Sequence, residues 1–356
     1  MGYLMNRDTF SKWIESLWQV GEVFGPILME QKGAFSGTDL TTYGPVKAFD
    51  DLIVNSKTYL SPKQYVFPMR ETLFHFEDES FKVPDLDTKP IYVFLRACDI
   101  NGIDRLDTMF LKNGTVVDPY YARRRERMVF LMMECTDKGF DSCFCVSMES
   151  NKTDDWDFSF KCEGDSVSVL MNQSNDEKEP QSVGVNFATN ALKQISKERD
   201  LSEVPSFVKE NKITVTLPVL GSINKSMFGH ELWQEYTIRC IACGRCNTSC
   251  VTCSCFTMQD VKFGEVFGER RRRWASCHVK EYSDMAGGHS FRKKNGERMR
   301  FKTLHKIDDF NKRFGKNMCV GCGRCDDVCP EYISFSKAIN KLSHIIQENG
   351  GDGNEK

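Results

Sequence analysis

Cys240-Ile-Ala-Cys243-Gly-Arg-Cys246-Asn-Thr-Ser-Cys250 recurs, almost letter for letter, as Cys319-Val-Gly-Cys322-Gly-Arg-Cys325-Asp-Asp-Val-Cys329. Both segments read C-x2-C-x2-C-x3-C and share C-[IV]-[AG]-C-G-R-C, an internal repeat. Three thiolates separated by pairs of residues can wrap one corner of a metal–sulfide cubane, with the intervening peptide N–H groups aimed at its sulfides. Gly244 and Gly323 relieve crowding where the backbone must pass close by. The fourth cysteine lies one helical turn further on and faces away, so that it serves the neighbouring cluster in two-cluster proteins of this spacing. The repeat therefore predicts two 4Fe–4S clusters, the first on Cys240, Cys243, Cys246 and Cys329, the second on Cys319, Cys322, Cys325 and Cys250.

Structural zinc is the competing reading, but it takes paired C-x2-C knuckles separated by a longer loop. A doubled run of three with a fourth at x3 fits it poorly. Pro330 follows the second motif where Val251 follows the first, which touches the turn and removes no ligand. The insert 251–318 between the motifs is longer than a minimal two-cluster unit requires, and is expected to pack around the clusters or to form a docking surface. Arg245 and Arg324 read equally as charges that raise a cluster's potential or as ordinary surface ion pairs.

The chain has 356 residues, 16 of them cysteine, and a formal net charge of −2. That length suggests two or three domains, and the near-neutral balance gives no pull toward nucleic acid or an anionic membrane. No stretch is apolar enough to cross a bilayer, and the N-terminus reads as an amphipathic helix, Asp8 to Val20, rather than a leader. A cytoplasmic location is expected, and in a reducing compartment clustered cysteines are metal ligands rather than a disulfide framework. The runs Arg123–Arg125 and Arg270–Arg273 read as solvated helix faces, with Arg270–Arg273 placed near a subunit contact.

Upstream of the repeat the pattern is α/β. Strands are expected at Ile91–Ala97, Met128–Glu134, Ser166–Met171 and Ile213–Val219, with helices after Asp99 as a cap and near Phe187–Lys197. Asn172–Gln181 reads as a loop. The fold class expected is α+β: an α/β domain with a mixed sheet over 1–225, a mainly helical two-cluster domain over 226–345, and a disordered tail over 346–356. Cys98 and Cys135 end two strands, and Cys143-Phe-Cys145 follows. Adjacent parallel strands deliver their C-terminal ends to one edge, so Cys98, Cys135, Cys143 and Cys145 are expected to hold a third 4Fe–4S cluster, although four thiolates suit zinc as well. Cys253, Cys255 and Cys277 are one short of a usual site unless His278 or His289 completes it, and read as packing residues; Cys162 reads as structural. Neither G-x-G-x-x-G after a strand nor a Walker loop occurs, and no nucleophile–base pair assembles, so a non-catalytic electron carrier is expected.

Nearly the whole chain resembles the iron–sulfur electron-transfer subunits of the bacterial anaerobic sulfite reductases and, more broadly, the beta subunits of sulfhydrogenases. The resemblance rests on Arg96-Ala-Cys-Asp-Ile-Asn101, Cys143-Phe-Cys-Val-Ser-Met148, the first motif with Cys253-Ser-Cys255-Phe256, Trp274-Ala-Ser-Cys277, Ser283-Asp-Met-Ala-Gly-Gly-His289 and the second motif. It implies an iron–sulfur conduit between an NADH- and flavin-binding subunit and a sirohaem subunit that reduces sulfite to sulfide. The wider family implies the alternative of service to a hydrogenase or sulfhydrogenase. A zinc-stabilised interaction protein is the alternative from another class.

Overall fold

The structure, a computed structural model, describes residues 2–85, 87–135, 138–172, 182–199 and 205–351. Its strands are β1 (Gly2–Asn6), β2 (Glu22–Met29), β3 (Leu40–Pro45), β4 (Arg70–Glu77), β5 (Ser80–Lys82) and β6 (Ile91–Leu95). β7 (Met128–Met133), β8 (Phe158–Glu163), β9 (Ser166–Met171), β10 (Glu198–Arg199), β11 (Phe256–Lys262) and β12 (Phe267–Trp274) follow. One mixed sheet runs β10-β1-β9-β8-β7-β6-β2-β3, with β2, β6, β7 and β8 parallel at its centre. Every residue of β6 and β7 is buried, as continuous apolar runs must be when helices cover both faces.

On one face lies the helix Arg7–Leu17, which buries Phe10, Trp13, Ile14 and Leu17 beside the helix Val183–Ile195. Asn6 caps it by accepting the Thr9 N–H at 2.9 Å. On the other face, the helix Ala97–Leu111 sets Ile100, Ile103, Leu106 and Phe110 against the sheet, together with Val251, just past the first cysteine motif, and Val320 of the second. Each such burial contributes about 1.5–3 kcal/mol. The second motif and the helix Phe335–Gly351 share a further core with Phe144, Trp233, Met299 and Leu304. Together these elements form the α+β fold. That last helix runs into the segment expected as a tail; residues 352–356, and nearly all of the expected loop 172–181, lie outside the described residues.

Three local expectations differ. Asp99 lies inside the first turn rather than at the cap, which is Arg96. The segment 213–219 is irregular: its Val215 and Thr216 N–H groups donate to Ser147 Oγ at 3.0 Å and Asn340 Oδ1 at 2.8 Å, so side chains satisfy what a ladder would have. The run Arg270–Arg273 is strand, not helix. β12 pairs with β11 and β4 in a second, antiparallel sheet, β11-β12-β4-β5, which joins residues from both sides of position 225. Arg272 is 2% exposed, bonded to Glu71 at 2.7 Å and to Asp118, and lies over the rings of Phe67, Phe110 and Phe256. A run of identical charges carries no period of its own, and the carboxylates that turn Arg272 inward are far away in sequence.

The C-terminal motif is locked to the N-terminal sheet. Arg324, 3% exposed, forks onto Asp99 at 2.5 and 3.1 Å and donates to the Thr58 carbonyl at 3.1 Å. The Phe144 N–H donates to the Gly321 carbonyl at 2.8 Å. Lys57 bridges Asp327 at 2.7 Å and the Cys322 carbonyl at 3.1 Å. Asp99→Asn should therefore leave a guanidinium buried without its counter-charge and cost about 3–5 kcal/mol in denaturant unfolding. The double variant Asp99→Leu/Arg324→Met should lose less, and equal losses would show the pair to be unimportant. Gly321 sits at φ 59°, and a Cβ there would stand 2.5 Å from the Phe144 carbonyl. Gly321→Ala should cost about 1–3 kcal/mol, whereas its counterpart in the first motif is already Ala242, at φ 57°. Ala242→Gly should change stability by less than about 1 kcal/mol on the same measurement.

Candidate functional site

The two motifs fold as one conformation used twice. The Ala242 N–H donates to Cys240 Sγ and the Gly321 N–H to Cys319 Sγ, both at 3.4 Å, and Gly244 and Gly323 take φ 75° and 72°. A cavity is lined by Cys240, Cys243 and Cys246 of the first motif together with Cys325 and Cys329 of the second. Cys319, Cys322 and Cys325 surround Cys250 in turn. Burial pushes the Cys319 thiol up to about 12, with Cys250 and Cys322 adding to the rise. Burial likewise raises Cys325, whose sulfur neighbours are Cys319 and Cys250. Each motif thus sends its last cysteine toward the other's first three.

The third set also gathers. β6 and β7 are adjacent and parallel; Cys98 stands in the first turn after β6 and Cys135 just past β7. Arg96 donates to Cys135 Sγ at 3.4 Å and to the Glu134 carbonyl at 3.2 Å. Cys145 Sγ reaches Asn211 Oδ1 at 3.6 Å, and Cys143 Sγ reaches the Cys322 carbonyl at 3.6 Å. Burial pushes Cys145 up to about 12, and the charges of Cys143, Cys135 and Cys322 add to it. Cys98 is raised by burial, then by Asp99, Cys322 and Cys145. Cys322 therefore stands between this set and the paired motifs.

The electrostatics are those of a site for an anionic group. Lys63, Lys302 and Lys306 are 2–3% exposed, and among the described residues none of the three pairs with a carboxylate. Lys63 Nζ donates to the carbonyls of Asn247 at 3.2 Å and Cys253 at 3.1 Å; Lys306 Nζ donates to Thr252 Oγ1 at 2.7 Å and Cys250 Sγ at 3.5 Å. Lys302 lines the cavity of the first set. Burial opposes the charge of Lys302 and Lys306, and the surrounding sulfurs outweigh it, so both ammonium groups are held above their ordinary value. A buried ammonium without an anion costs several kcal/mol, which a negatively charged, thiolate-held cluster offsets. The donor set and these lysines fit 4Fe–4S groups.

Sequence reasoning missed the lysines, which arrive from distant segments. The two arginines of the repeat separate: Arg324 is in the buried pair with Asp99, and Arg245 is exposed. His278 lies with Nδ1 at 4.0 Å from Cys240 Sγ, and burial pushes its imidazole well below its ordinary value. His289 is exposed and packs edge-on against Phe291. Both histidines are thus engaged elsewhere than at Cys253, Cys255 and Cys277. Cys162 Sγ reaches the Gly164 carbonyl at 3.6 Å. No described helix is long and apolar enough to cross a membrane.

Residues 239–333 match the family described as a 4Fe–4S dicluster domain. Over 343 residues the chain is 28% identical to sulfhydrogenase 2 subunit beta of Pyrococcus furiosus, an alignment that covers 95% of this chain and 97% of that protein. No solved structure matches. The repeat, the gathered thiols and the matched family together make this chain an iron–sulfur electron-transfer protein.

Proposed function

We propose that the chain is the electron-relaying subunit of a sulfhydrogenase-type complex, itself non-catalytic, carrying three 4Fe–4S groups. The observation that supports this best is the colinear likeness to a sulfhydrogenase beta subunit over almost the whole of both chains. When bound, a 4Fe–4S group supplies one-electron oxidation and reduction. The chain's own residues do the rest. In this reading Cys240, Cys243, Cys246 and Cys329 hold the first group, Cys319, Cys322, Cys325 and Cys250 the second, and Cys98, Cys135, Cys143 and Cys145 the third. Lys302 and Lys306 set a positive field between the first two, and Arg96 sets one at the third. Cys322, neighbour to Cys98 and Cys145, makes the three sets a file. Cys243, the exposed thiol, marks the end of the file where a partner's redox centre comes within reach.

The second reading places the chain in an anaerobic sulfite reductase, between an NADH- and flavin-binding subunit and a sirohaem subunit. It is favoured by the six segments that carry the resemblance, above all Arg96-Ala-Cys-Asp-Ile-Asn101 and Ser283–His289. Anaerobic purification of the native complex separates the two: a nickel–iron subunit supports the first reading, and a sirohaem subunit supports the second.

Crossed ligation has a direct check. Cys329→Ser should damage the cluster of Cys240, Cys243 and Cys246, and Cys250→Ser that of Cys319, Cys322 and Cys325, as read by paramagnetic resonance of the reduced protein. Anomalous diffraction showing each motif with its own four cysteines around its own iron would overturn the assignment.

The third set is tested in the full chain. Iron and acid-labile sulfide should exceed the content of two cubanes, and Cys98→Ser or Cys145→Ser should bring them down toward that content while both signals of the paired motifs survive. Zinc in place of iron at this set would keep the site and remove its redox role.

A further inference from the structure

Outside the three sets, Cys255 and Cys277 occupy the two ends of one hairpin. β11 and β12 pair from Lys262↔Gly268 to Phe256↔Trp274, and the Ala275 N–H continues the ladder by donating to the Cys255 carbonyl at 2.9 Å. This zipping brings Cys255, just before β11, beside the chain that leaves β12, where each of the two thiols is the main influence on the other's ionisation. We propose that Cys255 and Cys277 form a reversible dithiol–disulfide couple, a two-electron site beside the one-electron centres.

The surroundings suit that chemistry. Asn247 Nδ2 donates to Cys277 Sγ at 3.0 Å, while Asn247 Oδ1 accepts from Cys246 Sγ at 3.6 Å. One amide therefore joins the pair to a cysteine of the first motif. The Tyr282 hydroxyl donates to the Phe256 carbonyl at 3.4 Å, beside the Cys255 sulfur. The pair is asymmetric: the neighbouring Cys277 brings the Cys255 thiol down to about 6, and the same contact pushes Cys277 up. A half-buried sulfur beside a buried one is the arrangement of an attacking and a resolving sulfur. Cys277 is 7% exposed and Cys255 half-buried, so a solution thiol reaches the pair through Cys255. Cys253 is engaged differently, with Cys250 as its neighbour.

In the reducing direction the S–S bond breaks, and the two sulfurs together take up two electrons and two protons. The electrons arrive singly from iron–sulfur carriers of the kind this chain provides, and the protons come from solvent. In the oxidising direction the same two electrons and two protons leave as the bond forms. The couple depends on the iron–sulfur reading for its electron supply, but the bond is measured independently of it.

The test uses the intact, anaerobically purified chain, poised in glutathione buffers, alkylated with iodoacetamide and mapped by mass spectrometry, with iron and zinc measured in parallel. The expected result is a Cys255–Cys277 linkage under oxidising poise, opening in a single two-electron transition, at constant iron content. Cys277→Ser should leave Cys255 alkylated at every poise and iron unchanged. Alkylation of both cysteines in the unmodified chain at every poise would overturn the couple without recourse to any variant. Loss of iron or zinc in Cys277→Ser would overturn it by making the pair metal ligands. A linkage found in a chain that binds no iron would uphold the couple and reject the iron–sulfur reading instead.

Discussion

Between the second cysteine motif and the C-x-C loop, two backbones touch with nothing between them. The Phe144 N–H donates to the Gly321 carbonyl at 2.8 Å, and Gly323 stands so close to Ser142 that a Cβ would meet its carbonyl oxygen at 2.2 Å. Glycine at position 321 follows from this contact as much as from any cluster, since the first motif tolerates Ala242 at the same backbone angle. Because the two chain segments meet here, Cys322 faces the thiols of the N-terminal sheet and the three cysteine sets form a continuous series. Asp99 and Arg324 hold that register, charge against charge in the buried interior.

Buried charge is the second organising constraint. A domain that encloses several cysteine-ligated clusters encloses several negative charges, and low dielectric makes each expensive. The chain answers with cations at three depths: Lys63, Lys302 and Lys306 around the paired motifs, Lys57 beside Cys322, and Arg96 at Cys135. Neutralisation on this pattern also favours the reduced, more negative state of any cluster held there, which raises its potential. Lys63 and Lys306 also lie near Cys255, so the proposed two-electron site shares part of this field.

The insert between the motifs has a structural task of its own. β11 and β12 complete a sheet with β4 and β5, and Arg272 is drawn into it by Glu71 and Asp118. This ties residues near position 71 to residues near 272. It also zips together the hairpin ends where Cys255 and Cys277 stand.

The cluster-binding motif was legible in the sequence because it is local: three cysteines of each copy lie within seven residues, and the geometry of that loop depends on little else. β6 and β7 were legible for a similar reason, since runs of five and six apolar residues leave few alternatives to a buried central strand. The adjacency of β6 and β7, and with it the gathering of Cys98 and Cys135, was inferred from a general rule of parallel sheets rather than read from any residue. What lay beyond reach were interactions whose two halves are far apart. Nothing near Arg272 announces Glu71, nothing near Asp99 announces Arg324, and no pattern links Lys63 to Lys302. The sequence by itself determined that a doubled cluster-binding motif is present and roughly where the sheet is, because both are written at short range. Only the tertiary structure decided which charges are buried against which sulfurs, because that depends on long-range packing in a low-dielectric interior.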